Sequence, residues 1–543
     1  MPRYEMTGDE ALAQGAWEAG VVVAAGYPGS PSTRFLEHLA EISDPSEVYA
    51  EWSANEKVAF EIALGASLAG RRASVSFKSV GLNVALDPLM VANLGGVTGG
   101  LVVVLGDDPG AHGSQNEQDG RLLVRGAQVP LLEYSSPQEA YELAKYAFSL
   151  SERVELPVFI RETRAASREK AVVFAEGERT APAPASFASS YPKMFPVLGT
   201  EKTRGLHDKI SRVRAEFSRS PYNQAVFKSN RGILAAGYLW SRVLKIAGGD
   251  KDLSLFKLGT LYPLPEEKLL DFLSRMEHVL VVEELQPYVE ESVRALAQRK
   301  ELRVRIYGKD KGHIPAAGEV LSEHVRKAIP AALGVEIPPA PPDPSESFPL
   351  SAVYESLPAQ CPYYAAFEAF AAVLPKPPEE RPVFVGDDGC LIRLMNRPFS
   401  VVDCKFCMGS AVGIATGLAR AGLKRKVVAL VGDSSFFHTG VPAYLNAAAA
   451  GARIKIVILD NRTTAMTGCQ ANPGTDLTIR GRVQSRISIE SVLRSAGIAR
   501  FRSVEAFGEK KALQEAFDEC LEGDDLAVLL VTGPCPNLFG KIC

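Results

Sequence analysis

The chain has no cysteine before position 361, no apolar run long enough to span a bilayer and no block of basic residues. Each absence excludes something. All eight cysteines fall at 361, 390, 404, 407, 469, 520, 535 and 543. A disulfide framework for the whole chain is therefore ruled out. Reduced thiols, or metal ligation confined to the last third, are expected instead, and both point to the cytoplasm. The apolar stretches are broken by Gly, Pro or charge, so no membrane span is expected. A net charge of −4 without a basic patch gives a nucleic-acid partner no electrostatic footing. The opening residues, MPRYEMTGDEALAQG, lack a basic segment followed by an apolar one, so no signal peptide is expected. No internal repeat is visible. What is present is ordinary for a globular protein: 543 residues, 46% hydrophobic and 23% charged, enough for three or four domains.

Residues 1–176 read as one α/β domain. A helical segment, Gly8–Ala19, leads into a strand, Val21–Ala25, and the turn Gly26-Tyr27-Pro28-Gly29-Ser30-Pro31. Glu56–Leu68 has helical spacing, while Ala73–Phe77, Leu101–Leu105 and Val158–Arg161 read as strands. Such alternation predicts a mostly parallel sheet. The loops YPGSPST, FKSVGLN and GDDPGAHGSQNEQDGR lie at the carboxyl ends of its strands. Residues 177–229 combine an Ala-, Pro- and Ser-rich connector with a charged helix, Glu201–Ser218. Residues 230–334 form a second α/β unit with strands Gly232–Ala236, Leu253–Leu258, Val279–Glu283 and Arg303–Tyr307. No acid, base or metal set converges there, and the unit reads as a scaffold or interface. Residues 335–349, VEIPPAPPDPSESFP, are Pro-dense and predict an extended linker. Residues 350–543 form the last domain.

That last domain carries the densest chemistry. Val427–Val431 is an apolar strand run broken by Gly432-Asp433, Ala443–Ala450 suits a helix, and Ile454–Leu459 is a second strand ending in Asp460-Asn461. In a parallel sheet both strand ends share one edge, where open α/β sheets bind ligands. A carboxylate from Asp433 and an amide oxygen from Asn461 suit Mg²⁺, which takes oxygen ligands and completes its shell with water and substrate phosphates. The plainer alternative is a pair of ordinary βα turns. Glu56 opens a helix, where a carboxylate is favourable for dipole reasons alone. Ser30 stands in a turn, Lys78 follows a strand, and His112 shares a Gly-rich loop with Gln115 and Asn116. His438 follows two Phe and can transfer protons. Each of these also has an everyday role, as turn hydroxyl, solvated cation, loop residue or structural imidazole.

The Asp433…Asn461 pair resembles the metal–diphosphate motif of thiamine-diphosphate enzymes. Seven stretches in order, GYPGSPST, EWSANEKVAFEIALGAS, FKSVGLNVALDPLM, HGSQNEQDGR, CMGSAVGIATGLA, GDSSFFHTGVP and LDNRTTAMTG, resemble the alpha subunits of the indolepyruvate:ferredoxin oxidoreductases. These belong to the 2-oxoacid:ferredoxin oxidoreductase superfamily, and the similarity covers nearly the whole chain. The resemblance implies a three-domain α/β fold. Two thiamine-diphosphate-binding parallel-sheet domains, for pyrimidine and diphosphate, would flank a transketolase C-terminal-like α/β domain. It also implies Mg²⁺ held by Asp433, Asn461 and the Thr463 carbonyl, with Gly432 and Ser434 in the diphosphate loop. Glu56 would hydrogen-bond the aminopyrimidine and promote loss of the thiazolium C2 proton. Ser30 would lie near substrate or cofactor, Lys78 would meet a substrate carboxylate, His112 would sit on a covering loop and His438 would move a proton. The implied reaction is oxidative decarboxylation of a 2-oxoacid, an arylpyruvate such as indolepyruvate, to an acyl-CoA. Coenzyme A is the co-substrate and ferredoxin or another acceptor takes the electrons. A smaller beta subunit in an α₂β₂ assembly is the implied partner.

The resemblance further implies an iron–sulfur cluster on four cysteines: a C-x-x-C-P pair, a Cys after Gly-Asp-x-Gly and a late x-Pro-Cys. Cys361 in PAQCP, Cys390 in GDDGC and Cys535 in GPCP match, but the first cysteine of the pair is missing. No C-x₂-C-x₂-C run is present, so the family's appended ferredoxin-like domain is expected to be lacking. Three thiolates can hold a cubane whose last iron takes another ligand, a three-iron cluster, or nothing. Cys404 and Cys407 form a separate C-x-x-C. Two other functions stay open. One is non-oxidative decarboxylation or aldehyde transfer, with protonation by a group such as His438. The other is a non-catalytic thiamine-binding subunit, against which the intact Glu56, Asp433 and Asn461 count.

Overall fold

A computed structural model describes residues 2–187, 199–341, 343, 346, 355–377 and 379–538. The second half of the expected Ala/Pro/Ser connector, most of the Pro-rich linker's end and Cys543 lie outside the described residues. The chain divides into two units: Met1–Glu51 with Glu56–Pro349, and Trp52–Asn55 with Leu350–Cys543.

The strands of the first unit are β1 (Arg3–Thr7), β2 (Val23–Gly26), β3 (Tyr49–Trp52), β4 (Ala73–Lys78), β5 (Leu101–Asp107), β6 (Leu131–Glu133), β7 (Val158–Thr163), β8 (Lys170–Phe174), β9 (Gln224–Val226), β10 (Arg231–Ala236), β11 (Ser254–Leu258), β12 (Thr260–Tyr262), β13 (His278–Val282) and β14 (Arg305–Tyr307). Seven of them form a sheet in the order β12-β6-β7-β5-β4-β2-β3. It is parallel from β6 through β2, and β12 closes the β6 edge antiparallel. β5 and β7 are buried along their whole length, which is why Leu101–Leu105 and Val158–Ile160 read as unbroken apolar runs. A second sheet, β14-β13-β10-β11-β9, follows. β1 and β8 pair as a separate antiparallel ribbon.

Local chemistry starts the helices where the pattern says they should. Thr7 Oγ1 accepts from the Glu10 N–H at 3.3 Å while the Glu10 carboxylate accepts from the Thr7 N–H at 3.0 Å, a reciprocal cap for helix Gly8–Glu18. Ser136 caps helix Pro137–Val154 by accepting from Glu139, with Pro137 at the first helical position. The sequence-predicted helix Glu56–Leu68 has the same bounds in the structure. The charged helix spans Gly199–Arg219. Where the linker is described, it is not free. Glu346 accepts from the Ser322 backbone at 2.9 Å and pairs with Arg242 at 3.0 Å.

The second unit is one six-stranded parallel sheet: β15 (Val383–Gly386), β16 (Cys404–Lys405), β17 (Val427–Gly432), β18 (Lys455–Asp460), β19 (Arg500–Glu505) and β20 (Ala527–Thr532). Its order is β16-β15-β17-β18-β20-β19. The winding reverses between β15 and β17, and such switch points are where open sheets receive ligands. Register places Gly432 opposite Leu459, so Asp433 and Asp460 leave neighbouring strands side by side. The sequence put a helix only over the Ala-rich segment. In the structure helical winding begins at Asp433 itself, passes through a π-turn at Phe436–Gly440 and continues as Val441–Ala449. Wide single turns of this kind collect at functional sites. Asp433 stands at the amino end of that winding, where the helix dipole favours a negative group.

Candidate active site

Asp433 is 1% exposed. Its carboxyl is held well above the usual carboxylate range, first by burial and then by the Asp460 charge. Neutral donors answer it, the Ser434 N–H among them; Asn472 Nδ2 reaches Asp433 Oδ2 at 3.0 Å and Ser434 Oγ at 3.3 Å. Ser434 Oγ in turn lies 2.9 Å from Thr464 Oγ1. The loop after β17 is thereby tied to the loop after β18. Asn461 Oδ1 accepts from the Thr463 N–H at 3.2 Å, and Thr463 Oγ1 donates to the Gln470 carbonyl at 3.0 Å. A paired bridge between Thr464 and Gln470 folds the 464–470 loop back on itself. Arg462 and Cys469 flank that turn in left-handed conformations, φ 64° and 61°.

The donor set fits Mg²⁺. A carboxylate buried this deeply is costly unless a cation stands against it, and the oxygens of Asp433, Asn461 and Thr463 are the hard ligands such an ion takes. Behind them, Tyr363 Oη donates to the Leu459 carbonyl at 2.9 Å. A Cβ on Gly432 would come within 3.3 Å of that hydroxyl. The His438 ring is buried in the π-turn, its Nδ1 3.2 Å from Thr439 Oγ1, and its carbonyl accepts from Asn55 Nδ2 at 2.7 Å. Asp387, after β15, accepts from the Ala411 N–H at 3.0 Å, and burial pushes its carboxyl up to about 7.

In the first unit Glu56 is 5% exposed at the start of its helix. Its carboxyl lies against Gly81, on the first turn of helix Ser79–Gly95: a Cβ there would stand 2.3 Å from Glu56 Oε1. Ser30, Lys78 and His112 come together at the carboxyl edge of the seven-stranded sheet. Lys78 ends β4 and its ammonium donates to the Gly113 carbonyl at 3.2 Å. A Cβ on Gly29 would be 3.0 Å from the Lys78 side chain, and one on Gly113 3.8 Å from Ser30 Cβ. Thus the loops predicted from YPGSPST, FKSVGLN and GDDPGAHGSQ meet. A small buried pocket lined by Glu133, Tyr134, Arg161, Glu162 and Thr163 lies elsewhere in the unit and contains none of these residues.

Cys361, Cys390 and Cys535 also gather. Cys361 caps helix Pro362–Ala371, Cys390 follows the Gly389 turn after β15, and Cys535 follows β20. A Cβ on Gly533 would lie 2.9 Å from Pro362 Cβ, so the turns bearing Cys535 and Cys361 are packed together. Burial, then the charge of Cys361, pushes the Cys390 thiol up to about 12. Cys535 moves the other way, to about 6, because the Cys469 thiol donates to it, with burial opposing. The Cys535 N–H donates to the Asn461 carbonyl at 3.1 Å, which joins this group to the Asp433 site. Cys404 lies in β16 and Cys407 is exposed. Among the described residues no three or more His, Cys, Asp or Glu surround a point where one metal ion would sit. No described helix is long and apolar enough to cross a membrane.

Sequence reasoning missed Asn472, Tyr363, Asp387 and Cys469. Asn472 sits in QANPGT, where Asn before Pro reads as turn chemistry. Asp387 was visible only as part of GDDGC.

Residues 387–531 match the family model "Thiamine pyrophosphate enzyme, C-terminal TPP binding domain". Residues 14–203 match "Pyruvate flavodoxin/ferredoxin oxidoreductase, thiamine diP-bdg". An indolepyruvate oxidoreductase subunit IorA from Pyrococcus abyssi is 36% identical over 568 residues, spanning 98% of this chain and 86% of that protein. Its counterpart from Archaeoglobus fulgidus is 35% identical over 565 residues, spanning 99% and 87%. A solved 2-oxoglutarate:ferredoxin oxidoreductase from Magnetococcus marinus, with 2-oxoglutarate, coenzyme A and succinyl-CoA bound, has a TM-score of 0.48 at 14% identity over 56% of this chain and 62% of its own, too distant to support an inference.

Proposed function

We propose, from the premise that this chain belongs to the family of indolepyruvate oxidoreductase subunits IorA, that it oxidatively decarboxylates an arylpyruvate such as indolepyruvate to an acyl-CoA. Membership makes it a thiamine-diphosphate-dependent 2-oxoacid oxidoreductase. The substrate side chain, coenzyme A as acyl acceptor, ferredoxin or another electron acceptor, and a smaller beta subunit in an α₂β₂ assembly are our assignments. The subunit naming of the relatives supports a partner.

The observation that carries the reading is the buried Asp433 carboxyl, fixed by Asn472 at the switch point and flanked by Asn461 and Thr463. Asp433, Asn461 and the Thr463 carbonyl hold Mg²⁺, with Gly432 and Ser434 in the diphosphate loop. Bound thiamine diphosphate supplies a carbon nucleophile for the 2-keto group and an electron sink once CO₂ has left. Glu56 serves as the acid–base group that activates the cofactor. Lys78 orients the substrate carboxylate, while the Ser30 and His112 loops, packed around it, exclude water. His438 moves a proton at its ring nitrogen.

The test is CO₂ release from indolepyruvate by the chain co-produced with its smaller partner. It is run with and without coenzyme A and a one-electron acceptor, in the presence of thiamine diphosphate and Mg²⁺. Release that requires the acceptor is expected. Release indifferent to it would replace this reading by non-oxidative decarboxylation, and no cofactor-dependent release from any 2-oxoacid would leave a thiamine-binding subunit.

A further inference from the structure

We infer that Glu117 is a positioning residue for the 2-oxoacid: its carboxylate ties the loop that carries His112 to the loop that follows β14, and so holds the substrate side of the site in order. The inference rests on the reading above that Lys78 and the His112 loop meet the substrate. It adds a side chain and a contact that the reading does not use.

The loop leaves β5 at Asp107 and ends at Gly120, the first residue of helix Gly120–Ala127. Its base is closed, because the Gly120 N–H donates to the Asp107 carboxylate at 3.3 Å. Between these ends there is no strand or helix, so the order of the loop depends on its side chains. Asp108 Oδ2 accepts from the Gly113 N–H at 2.7 Å. Glu117 Oε1 accepts from the Gly110 N–H at 2.5 Å. Gly110 has a φ of 82°, and a Cβ on it would stand 2.7 Å from His112 Nε2. The His112 ring is therefore seated against the backbone that Glu117 holds. Gly113, the next residue, presents its carbonyl to the Lys78 ammonium at 3.2 Å.

The same Glu117 Oε1 accepts a second N–H, that of Gly318, at 2.8 Å and from 201 residues away. Gly318 lies between β14 and helix Ser322–Leu333, in a loop that is itself anchored. Arg242 Nη2 donates to Glu319 Oε1 at 2.7 Å, and the Val320 N–H donates to Glu284 Oε2 at 3.0 Å. Arg242, Glu284 and Glu319 are all buried. A carboxylate oxygen can take two donors, and hydrogen bonds to an ionised acceptor are about twice as strong as neutral ones. Arg121 makes another junction to the same part of the fold, reaching Glu283 at 2.8 Å. That junction holds the helix; Glu117 holds the turn before it.

Order in the loop bears on affinity. When a binding-competent form is populated only part of the time, apparent affinity falls by that fraction and the bound complex is unchanged. Loss of the Glu117 carboxylate should therefore raise KM and leave kcat. General misfolding does the opposite: it removes active enzyme, so kcat falls and KM stays.

The experiment uses the full chain co-produced with its smaller partner, with thiamine diphosphate and Mg²⁺ present. Glu117→Ala is expected to raise KM for indolepyruvate by about 10–100-fold, the worth of a hydrogen bond to a charged group, with kcat close to wild type. Glu117→Gln keeps an acceptor oxygen and should recover most of the loss. Amide hydrogen exchange read by mass spectrometry, without coenzyme A or an electron acceptor, needs no turnover. In Glu117→Ala, residues 108–118 and 316–320 should both exchange faster than in wild type, while helix Pro137–Val154 should not. Indolepyruvate should protect 108–118 in the wild type, and half-protection in Glu117→Ala should need about 10–100-fold more of it. Unchanged exchange at 316–320, a fall in kcat at constant KM, an unmoved half-protection point, or no protection of the wild-type loop would each overturn the inference. CO₂ release, measured on the same preparations, tests the underlying reading separately. Protection that shifts as expected without CO₂ release sinks only that reading, and release from indolepyruvate without the shift sinks only this inference.

Discussion

Asn472 Nδ2 donates to Asp433 Oδ2 at 3.0 Å, across 39 residues of sequence. The amide fixes one oxygen of a carboxyl that has no cationic side chain hydrogen-bonded to it among the described residues. Removing a group that orients a metal ligand typically costs 10–100-fold in metal affinity. Asn472→Ala should therefore weaken Mg²⁺-dependent thiamine-diphosphate binding by roughly 10–100-fold, measured by titration calorimetry at fixed cofactor. Unchanged affinity would show that Asn472 does no more than close its own turn.

Gly81 and Glu56 make a second pair to test. Gly81→Ala would place a methyl 2.3 Å from Glu56 Oε1, so the carboxyl must move. Misplacement of a reacting group by about 1 Å can cost about 10²-fold in rate. Gly81→Ala should lower kcat by about that factor while diphosphate affinity stays near wild type. Glu56→Gln, which removes the acid–base function proposed for it, should cost about 10²–10⁴-fold. If Gly81→Ala is fully active, the carboxyl needs no such fixed position.

A pH test comes from Asp387, whose folded value of about 7 exceeds its ordinary 3.8 because of burial. Between those values the folded chain keeps a proton that the unfolded chain has released. Stability therefore falls as pH rises from about 4 to about 7 and is level above that. Asp387→Asn removes this titration and keeps an oxygen for the Ala411 N–H. Its thermal midpoint should exceed the wild type's at about pH 8 and lose that advantage by about pH 4.5. Parallel curves would contradict the assignment.

Arg121 tests the buried charges of the first unit. Its guanidinium reaches Asp119 at 2.6 Å, Glu283 at 2.8 Å and the carbonyls of Glu284 and Gln286 at 2.6 and 2.9 Å. Arg121→Met strands two carboxylates and should destabilise the chain by about 3–5 kcal/mol in denaturant unfolding. Arg275→Met, which breaks an exposed pair with Asp271, should cost about 0–1 kcal/mol. A similar loss for both would mean that burial of the Arg121 network adds little.

The parts legible in the sequence are those whose signal is local. β17 and β18 are apolar, largely β-branched runs, and the Asp433 and Asn461 that follow them at one sheet edge mark the candidate metal site, with ordinary βα turns as the plainer alternative. Helix Glu56–Leu68 was bounded correctly because its apolar spacing begins at once. What escaped depends on tertiary partners. β6 and β12 are three residues each and are defined by their partners, β6 by β7 and β12, and β12 by β6. The π-turn at FFHTG carries a single Gly, Gly440, and a lone Gly does not tell a π-turn from an ordinary turn. Asn472 reaches Asp433 from an irregular loop, where no periodicity says which way a side chain points.

The pairing of β12 with β6 bears on how the protein is made. One edge of the first sheet is sealed by a strand encoded well downstream, so on the ribosome β6, paired with β7 on one side, keeps its other side open until Thr260–Tyr262 has emerged. An open edge recruits other strands. For that interval the nascent chain carries an open strand edge that can stick to a neighbour. A gene fragment ending before residue 260 would carry the risk permanently.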